Sequence, residues 1–296
     1  MVLPVLSGVE EMKEIVFKDE AVIGRDEMNL AEFPITLLTD KSSKTVKTIT
    51  FEGNHGKLTV TGSDDLGLPT APDADVIVAL IQLTKMRNNF TDPTVQFSRY
   101  ELLKLLGWDD QGRHYRRLDE SLRRWVGVTL RYDKCWWDNE IKCRVDANFH
   151  IIDSVVIYDQ VVRHKLMSRQ QSLPLSTFSW SKIFFKSCND DNIKKIDLTA
   201  YFSLRSAVSK RLYRLLDKRF YVRDDWTFDL RELAFEHVGL SRNYTAAKIK
   251  EKLQPALDEL ESIGFIEVMP RSERYSSISR CEWKVRLAHL TKQTVA

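Results

Sequence analysis

Between Gly112 and Trp125 the chain reads GRHYRRLDESLRRW, five arginines in fourteen positions. A guanidinium is a planar fork of N–H donors that keeps its charge throughout the physiological range. It can take guanine O6 and N7 bidentately in a DNA major groove, or clamp phosphate oxygens. On a helix turning about 100° per residue, Tyr115, Leu118, Leu122 and Trp125 share one arc, the spacing of a buried face. Arg113, Arg117 and Arg124 then lie opposite it, with Arg116 and Arg123 on a flank and His114 at the helix start. Asp119 and Glu120 offset only part of this charge. The plainer reading is a solvated face laced with ion pairs.

The flanking elements favour the DNA reading. FSRYELLKLLGWDDQ holds a short apolar helix pattern (Tyr100, Leu103, Leu106), then Gly107 and a polar turn. A helix, a turn and a second, basic helix is the order of a helix-turn-helix. After Trp125, VGVTLRYDKCWWDNEIKCRV alternates around Asp138-Asn139 like a hairpin, which completes a winged-helix plan.

The same order recurs. VIVALIQLTKMRNN, VQFSRYELLKLLGW, the arginine helix and VGVTLRY are followed, from Val208, by VSKRLYRLLDKRFYVRDDW, TFDLRELAFEHVGL, SRNYTAAKIKEKLQPALDELESI and GFIEVM. Phe97 matches Phe228, Glu101-Leu102 matches Glu232-Leu233, and Tyr115 matches Tyr244. Gly127 and Gly264 each close a long helix and open a strand. The expected fold is α+β: two tandem winged-helix domains related by an internal repeat, with a small β-rich N-terminal extension. The expected divisions are 1–70 for the extension, 71–165 for the first winged helix, 166–200 for a β-rich junction and 201–296 for the second winged helix. Within 148–200, FHIIDSVVIYDQ and FSWSKIFFKSCNDDNIKKIDL read as strand-like runs, and SRQQSLPLS reads as a loop.

In the second unit Ser241 is placed as an N-cap and Pro255 as a kink. Arg242, Asn243, Tyr244 and Lys248 cluster at the helix start, the part of a recognition helix that meets base edges. Tyr244 has an alternative role as a packing aromatic. Lys210, Arg211 and Arg214 lie a turn apart on the preceding helix and are candidates for phosphate positioning, with Arg219 and Arg223 continuing the patch. Arg205 to Arg223 holds seven Lys or Arg against Asp217 alone.

The chain of 296 residues has a net charge of only +3, so affinity for nucleic acid must come from local patches. No apolar run reaches the roughly 18 residues of a membrane span, and the N-terminus lacks a basic leader, so a cytoplasmic bacterial location without membrane association is expected. Cys135, Cys143, Cys188 and Cys281 include no C-x-x-C, and reduced thiols are expected, although Cys135 and Cys143 could face each other across the hairpin. GNHGK lacks the spacing of a phosphate loop, and Leu58 stands where Ser or Thr would hold magnesium. His114 and Arg117 form the H-x-x-R of strand-transfer enzymes, but a basic recognition helix accounts for both. The six histidines are scattered, with no H-x-H, and His237 reads as a helix C-terminal residue favoured by the dipole. No catalytic residue, metal or cofactor is expected.

The strings RDEMNLAEFPITLL, TVTGSDDLGLPTA, YELLKLLGW, YFSLRSAVSKRLYRLLDKRF and FDLRELAFEHVGLSRNY closely resemble the plasmid replication initiator protein A family, over about residues 20–285. The resemblance implies a plasmid-encoded initiator that binds repeated sites in the double-stranded DNA of its own origin, helps open adjacent A·T-rich DNA and recruits host initiator and replicative helicase. It also implies a homodimer as one form of the protein. The alternative on the same fold is a winged-helix repressor without initiation activity.

Overall fold

The computed structural model describes residues 22–40, 45–54, 56–158, 175–279 and 282–290. The chain enters on β1 (Ile23–Glu27) and forms a hairpin of β2 (Thr48–Gly53) and β3 (Gly56–Thr61). Phe51 stands opposite Leu58 and Ile49 opposite Val60, so the alternating sequence lays an apolar row on the inner face. Next is α1 (Ala71–Asn88), whose stretch from Val76 to Leu83 is buried almost all round, as expected of an interior helix. Its start is fixed by the Asp73 carboxylate, which accepts from the Thr70 amide and hydroxyl at 2.6 and 2.9 Å.

β4 (Thr94–Phe97), α2 (Arg99–Leu105) and α3 (Gly112–Val126) follow, and then the hairpin of β5 (Thr129–Asp138) and β6 (Cys143–Phe149). β5 also pairs with β3, giving an antiparallel sheet in the order β2–β3–β5–β6. The segment expected to be an extension is thus β-rich, and two of its strands, β2 and β3, complete the sheet of the arginine helix's own hairpin. β7 (Ile152–Val156) and β8 (Ser176–Trp180) join β4 in a second sheet ordered β4–β8–β7. Most of SRQQSLPLS lies outside the described residues.

One strand-like run is instead a helix: KIFFKSCN forms α4 (Lys182–Asn189). Ser181 caps it, accepting from the Phe184 amide at 3.4 Å, and Phe184 and Cys188, one turn apart, face the core. β9 (Ile193–Asp197) then returns to pair with β1.

The later half contains α5 (Leu198–Ser203), α6 (Ala207–Phe220), β10 (Asp225–Asp229) and α7 (Leu230–Glu232), which runs on as a π-helical turn from Leu233 to Val238. After α8 (Ala246–Ser262) come a short α9 (Arg271–Arg274), β11 (Tyr275–Ser277) and β12 (Trp283–Ala288), in a sheet ordered β10–β12–β11. GFIEVM, expected as a strand after α8, makes only one bridge, Ile266 to His289. Gly264 turns the chain at φ 68°, and β11 forms only after Pro270 has started another helical turn.

Two apolar cores result. One joins α1, α2, α3 and α4 to the first two sheets. The other joins α6, α7 and α8 to the last sheet and receives Val78 from α1. Cys135, Cys143 and Cys188 are free thiols, and register places Cys143 opposite Asp138, not Cys135. Among the described residues no helix is long and apolar enough to cross a membrane.

Candidate nucleic-acid interface

α3 docks on the first core through Leu118, Leu122 and Trp125, all fully buried, with the Trp125 indole N–H donating to the Asp73 carbonyl at 2.9 Å. Tyr115 is half-buried. Its hydroxyl donates to Asp110 at 2.8 Å, and burial, reinforced by that bond, pushes its pKa up to about 12. The arginines divide into two groups. Arg113, Arg116 and Arg123 are exposed together with Glu120, making one stripe along the helix. Of the three, only Arg113 makes a salt bridge to another described residue, Asp109 at 3.8 Å, in an exposed pair of little energetic weight, while Arg123 acts on the Asp119 carboxylate through its field without a salt bridge.

The other two arginines are occupied. Arg124 donates to both oxygens of Asp73 at 2.8 and 2.7 Å and to the Leu66 carbonyl at 3.1 Å, tying the end of α3 to the start of α1. Its expected place on the solvent face is corrected: Asp73 draws it inward. Arg117 is half-buried over the Trp108 ring, 5.2 Å from its centroid. His114 packs against the same ring, and its Nδ1–H donates to the Asp109 carbonyl at 2.8 Å. The exposed stripe is therefore rotated towards Arg116 and Arg123, because Trp108 and the α1 terminus cover the other flank.

In the later half α8 starts after Thr245, whose hydroxyl accepts from the Lys248 amide at 3.3 Å, so Ser241 is not the N-cap. Arg242, Asn243 and Tyr244 precede the helix in a turn. Asn243 is exposed, whereas Tyr244 packs on the second core. Arg242 is held by Glu236 and donates to the Thr50 carbonyl at 3.2 Å, while Glu236 accepts from the Glu52 amide at 2.6 Å. This arginine thus bridges α7 to β2. Lys248 pairs with Glu251 at 2.6 Å. Pro255 lies inside α8 as expected.

The basic residues of α6 face inward, which corrects the expectation of a phosphate-positioning row. Arg214 is buried and donates to both oxygens of Asp26 at 2.6 and 3.0 Å. Lys210 pairs with Asp75 at 2.6 Å and lies over the Tyr201 and Phe202 rings. Lys218 pairs with Glu32 at 2.6 Å, and Arg219 pairs with the same carboxylate. Arg211 is also buried. Burial alone would raise the Glu32 carboxyl, but Lys218 and Arg219 outweigh it and hold its pKa at about 2. His237 is buried too and donates from Nδ1 to the Glu32 carbonyl at 3.0 Å. Burial lowers its pKa, so it is a neutral donor and not a dipole-stabilised cation. The sequence reading missed Asp26, Glu32 and Asp75 as the partners of the α6 cations; the signal was the excess of positive charge on α6, which needed acids from elsewhere.

Among the described residues, Asp138, Glu140 and Asp190 are the three acidic groups close enough together to hold a cation. The Lys186 ammonium already sits among them, 3.6 Å from Asp138, 2.8 Å from Glu140 and closer still to Asp190.

The structure is similar to crystal structures of two proteins. It matches domains 2 and 3 of RctB at a TM-score of 0.57 and 14% identity, over 90% of this chain and 99% of that one. It matches the Pi initiator protein, solved in complex with iteron DNA, at a TM-score of 0.53 and 13% identity, over 92% and 98%. Such identities carry the fold alone. No curated protein sequence matches the chain. The sequence pattern of replication initiator protein A matches residues 25–255, most of the length, and the chain belongs to that family.

Proposed function

We propose that this protein is a plasmid replication initiator that binds repeated sites in origin duplex DNA, promotes origin opening, and brings host initiator and replicative helicase to it without catalysing a reaction itself. In this reading the chain is two winged helices related by an internal repeat. Its support is the element order: α1, β4, α2, α3 and a hairpin early, then α6, β10, α7, α8 and β11–β12. Phe97 and Phe228 end up buried in corresponding strands, as do Leu102 and Leu233 in corresponding helices.

The observation that carries the reading is the stripe of Arg113, Arg116 and Arg123. Neither Arg116 nor Arg123 makes a salt bridge to another described residue, and the helix that bears them is anchored by a fully buried opposite face. Guanidinium groups held out in this way suit phosphates and guanine edges. Asn243, in the turn before α8, and Lys248, in its first turn, are the second unit's contribution. Arg124, Arg211 and Arg214 have no part in the contact, because their donors point into the protein.

The test is fluorescence anisotropy with duplexes tiled across the plasmid DNA around the coding sequence, beside a random duplex. Selective binding to a repeated site, lost when Arg113, Arg116 and Arg123 are replaced together by Ala, is the expected result. Equal binding to every duplex would overturn it. Initiation is separated from simple repression by replicating a plasmid whose initiator is expressed from a foreign promoter: a repressor would be dispensable there, and an initiator would not.

A further inference from the structure

β1 and β9 pair with Arg25 directly opposite Lys195. Residues opposite one another in an antiparallel pair put their side chains on the same face, with Cβ atoms about 5 Å apart, and like charges so placed repel. Lys85 of α1 reaches the same ribbon, its ammonium donating to the Ile23 carbonyl at 2.9 Å. Burial first, then the like charges of Arg25 and Lys195, lowers its pKa. Three cations thus converge, and among the described residues none of them makes a salt bridge; the one bond from the Arg25 guanidinium goes to the neighbouring Gly24 carbonyl at 3.3 Å. The carboxylates of the two strands are engaged elsewhere: Asp26 with Arg214 and Lys194, Glu27 with Asn29, Ser187 and Asn192, and Asp197 as the cap of α5. Positive charge is therefore assembled here against its own repulsion, with no acid of the ribbon to offset it.

Lys195 is exposed and Arg25 half-buried, and both line an open cleft between the β5–β6 hairpin and the end of α6, so both are within reach of a ligand. Of the four acids on the cleft wall, Glu32 and Asp217 pair with Lys218 and Lys194, Asp224 lies 3.4 Å from His289, and only Asp191 makes no ion pair to a described residue. We propose that Arg25, Lys195 and Lys85 form a second DNA contact, which holds backbone phosphates and is separate from the stripe on α3. Such a contact presupposes the DNA binding proposed from α3. The three cations bring charge and N–H donors but no amide or aromatic group to read a base, which suits a backbone that carries one charge per nucleotide whatever its sequence. Arg25 can take two oxygens of one phosphate, while the two lysines act as point charges. β1 precedes the first unit and β9 leads into the second, so DNA held on this ribbon is held where the two units join.

The test follows the anisotropy of a labelled random-sequence duplex with the full-length protein over a range of sodium chloride concentrations. Replacing Arg25 and Lys195 together by Gln should flatten the slope of log affinity against log salt by about 1.8, two phosphates at about 0.9 each. Without DNA the same double variant should melt no lower than the parent, since it relieves repulsion, whereas a merely structural role would lower the melting temperature and leave the slope alone. Arg25→Lys, which keeps the charge, should keep the slope. A slope unchanged in the double variant, while replacement of Arg116 and Arg123 by Ala flattens it, would overturn the ribbon contact and leave the α3 contact standing. A parent that binds no duplex at all would overturn both. A melting temperature raised by inorganic phosphate or by polyglutamate in the parent but not in the double variant, with the DNA slope unchanged, would give the cluster to a free anion or an acidic protein instead. Should the double variant fail to fold, Lys195→Gln alone should flatten the slope by about 0.9, and no change there rejects the contact.

Discussion

Arg116 and Arg124 belong to the same helix, yet one faces water while the other closes on Asp73 through bonds of 2.8 and 2.7 Å. Their replacement by Ala should therefore separate stability from binding. Arg124→Ala leaves Asp73 with its Thr70 donors but without its cation, and should cost about 1–3 kcal/mol in urea denaturation. Arg116→Ala should stay within about 0.5 kcal/mol of the parent while weakening DNA binding. If Arg116 or Arg123 meets phosphate, removing either should flatten the slope of log affinity against log salt by about 0.9. A slope unchanged in both variants would deny them phosphate contacts. The buried arc of α3 was readable from spacing alone, since Leu118, Leu122 and Trp125 recur on one face. Which arginines remained free was not, because that depended on Asp73 and Trp108, whose positions follow from the tertiary fold.

Hairpins and long helices were legible at the scale of elements wherever a pattern was long and unambiguous. β2–β3 alternates cleanly, and β5–β6 turns at Asp138 as read. KIFFKSCN failed because a short apolar run suits either strand or helix, and the decision fell to Ser181 as cap and to Phe184 and Cys188 packing one turn apart. GFIEVM failed for the converse reason: its β-like residues found only a single bridging partner at Ile266. The β2–β3 turn offers a test of how tightly the sheet is set. Gly56 sits at φ 137°, a conformation that side chains rarely adopt, and an added Cβ would press on the Asp133 carbonyl of β5. Gly56→Ala should cost about 1–3 kcal/mol. An equilibrium denaturation curve identical to the parent's would show that the turn relaxes freely.

Across the whole molecule, acids at the start of the chain close on the basic helix α6: Asp26 on Arg214, Glu32 on Lys218 and Arg219, and Asp75 on Lys210. Sequence reading placed these cations on the outside because their partners lie well over a hundred residues away, where no periodicity connects them. The seam predicts a particular acid response. Glu32 has a folded pKa of about 2 against 4.5 ordinarily, so its ion pairs stabilise the protein fully above the unfolded value. That contribution fades as pH falls from about 5 towards 2 and amounts to up to about 3 kcal/mol. Burial raises the Asp26 carboxyl, but Arg214 and Lys194 outweigh it and lower its pKa, so Asp26 acts in the same direction. Glu27, raised by burial despite the donors around it, acts in the opposite sense and softens the fall. Urea midpoints measured from pH 6 to pH 3 should therefore drop steeply for the parent. Glu32→Gln should begin lower at pH 6 and decline less over the same interval, since the group that titrates is gone. Parallel curves for the two proteins would mean that the Glu32 pairs contribute nothing to holding α6 in place, and that the apolar contacts of the second core hold it unaided.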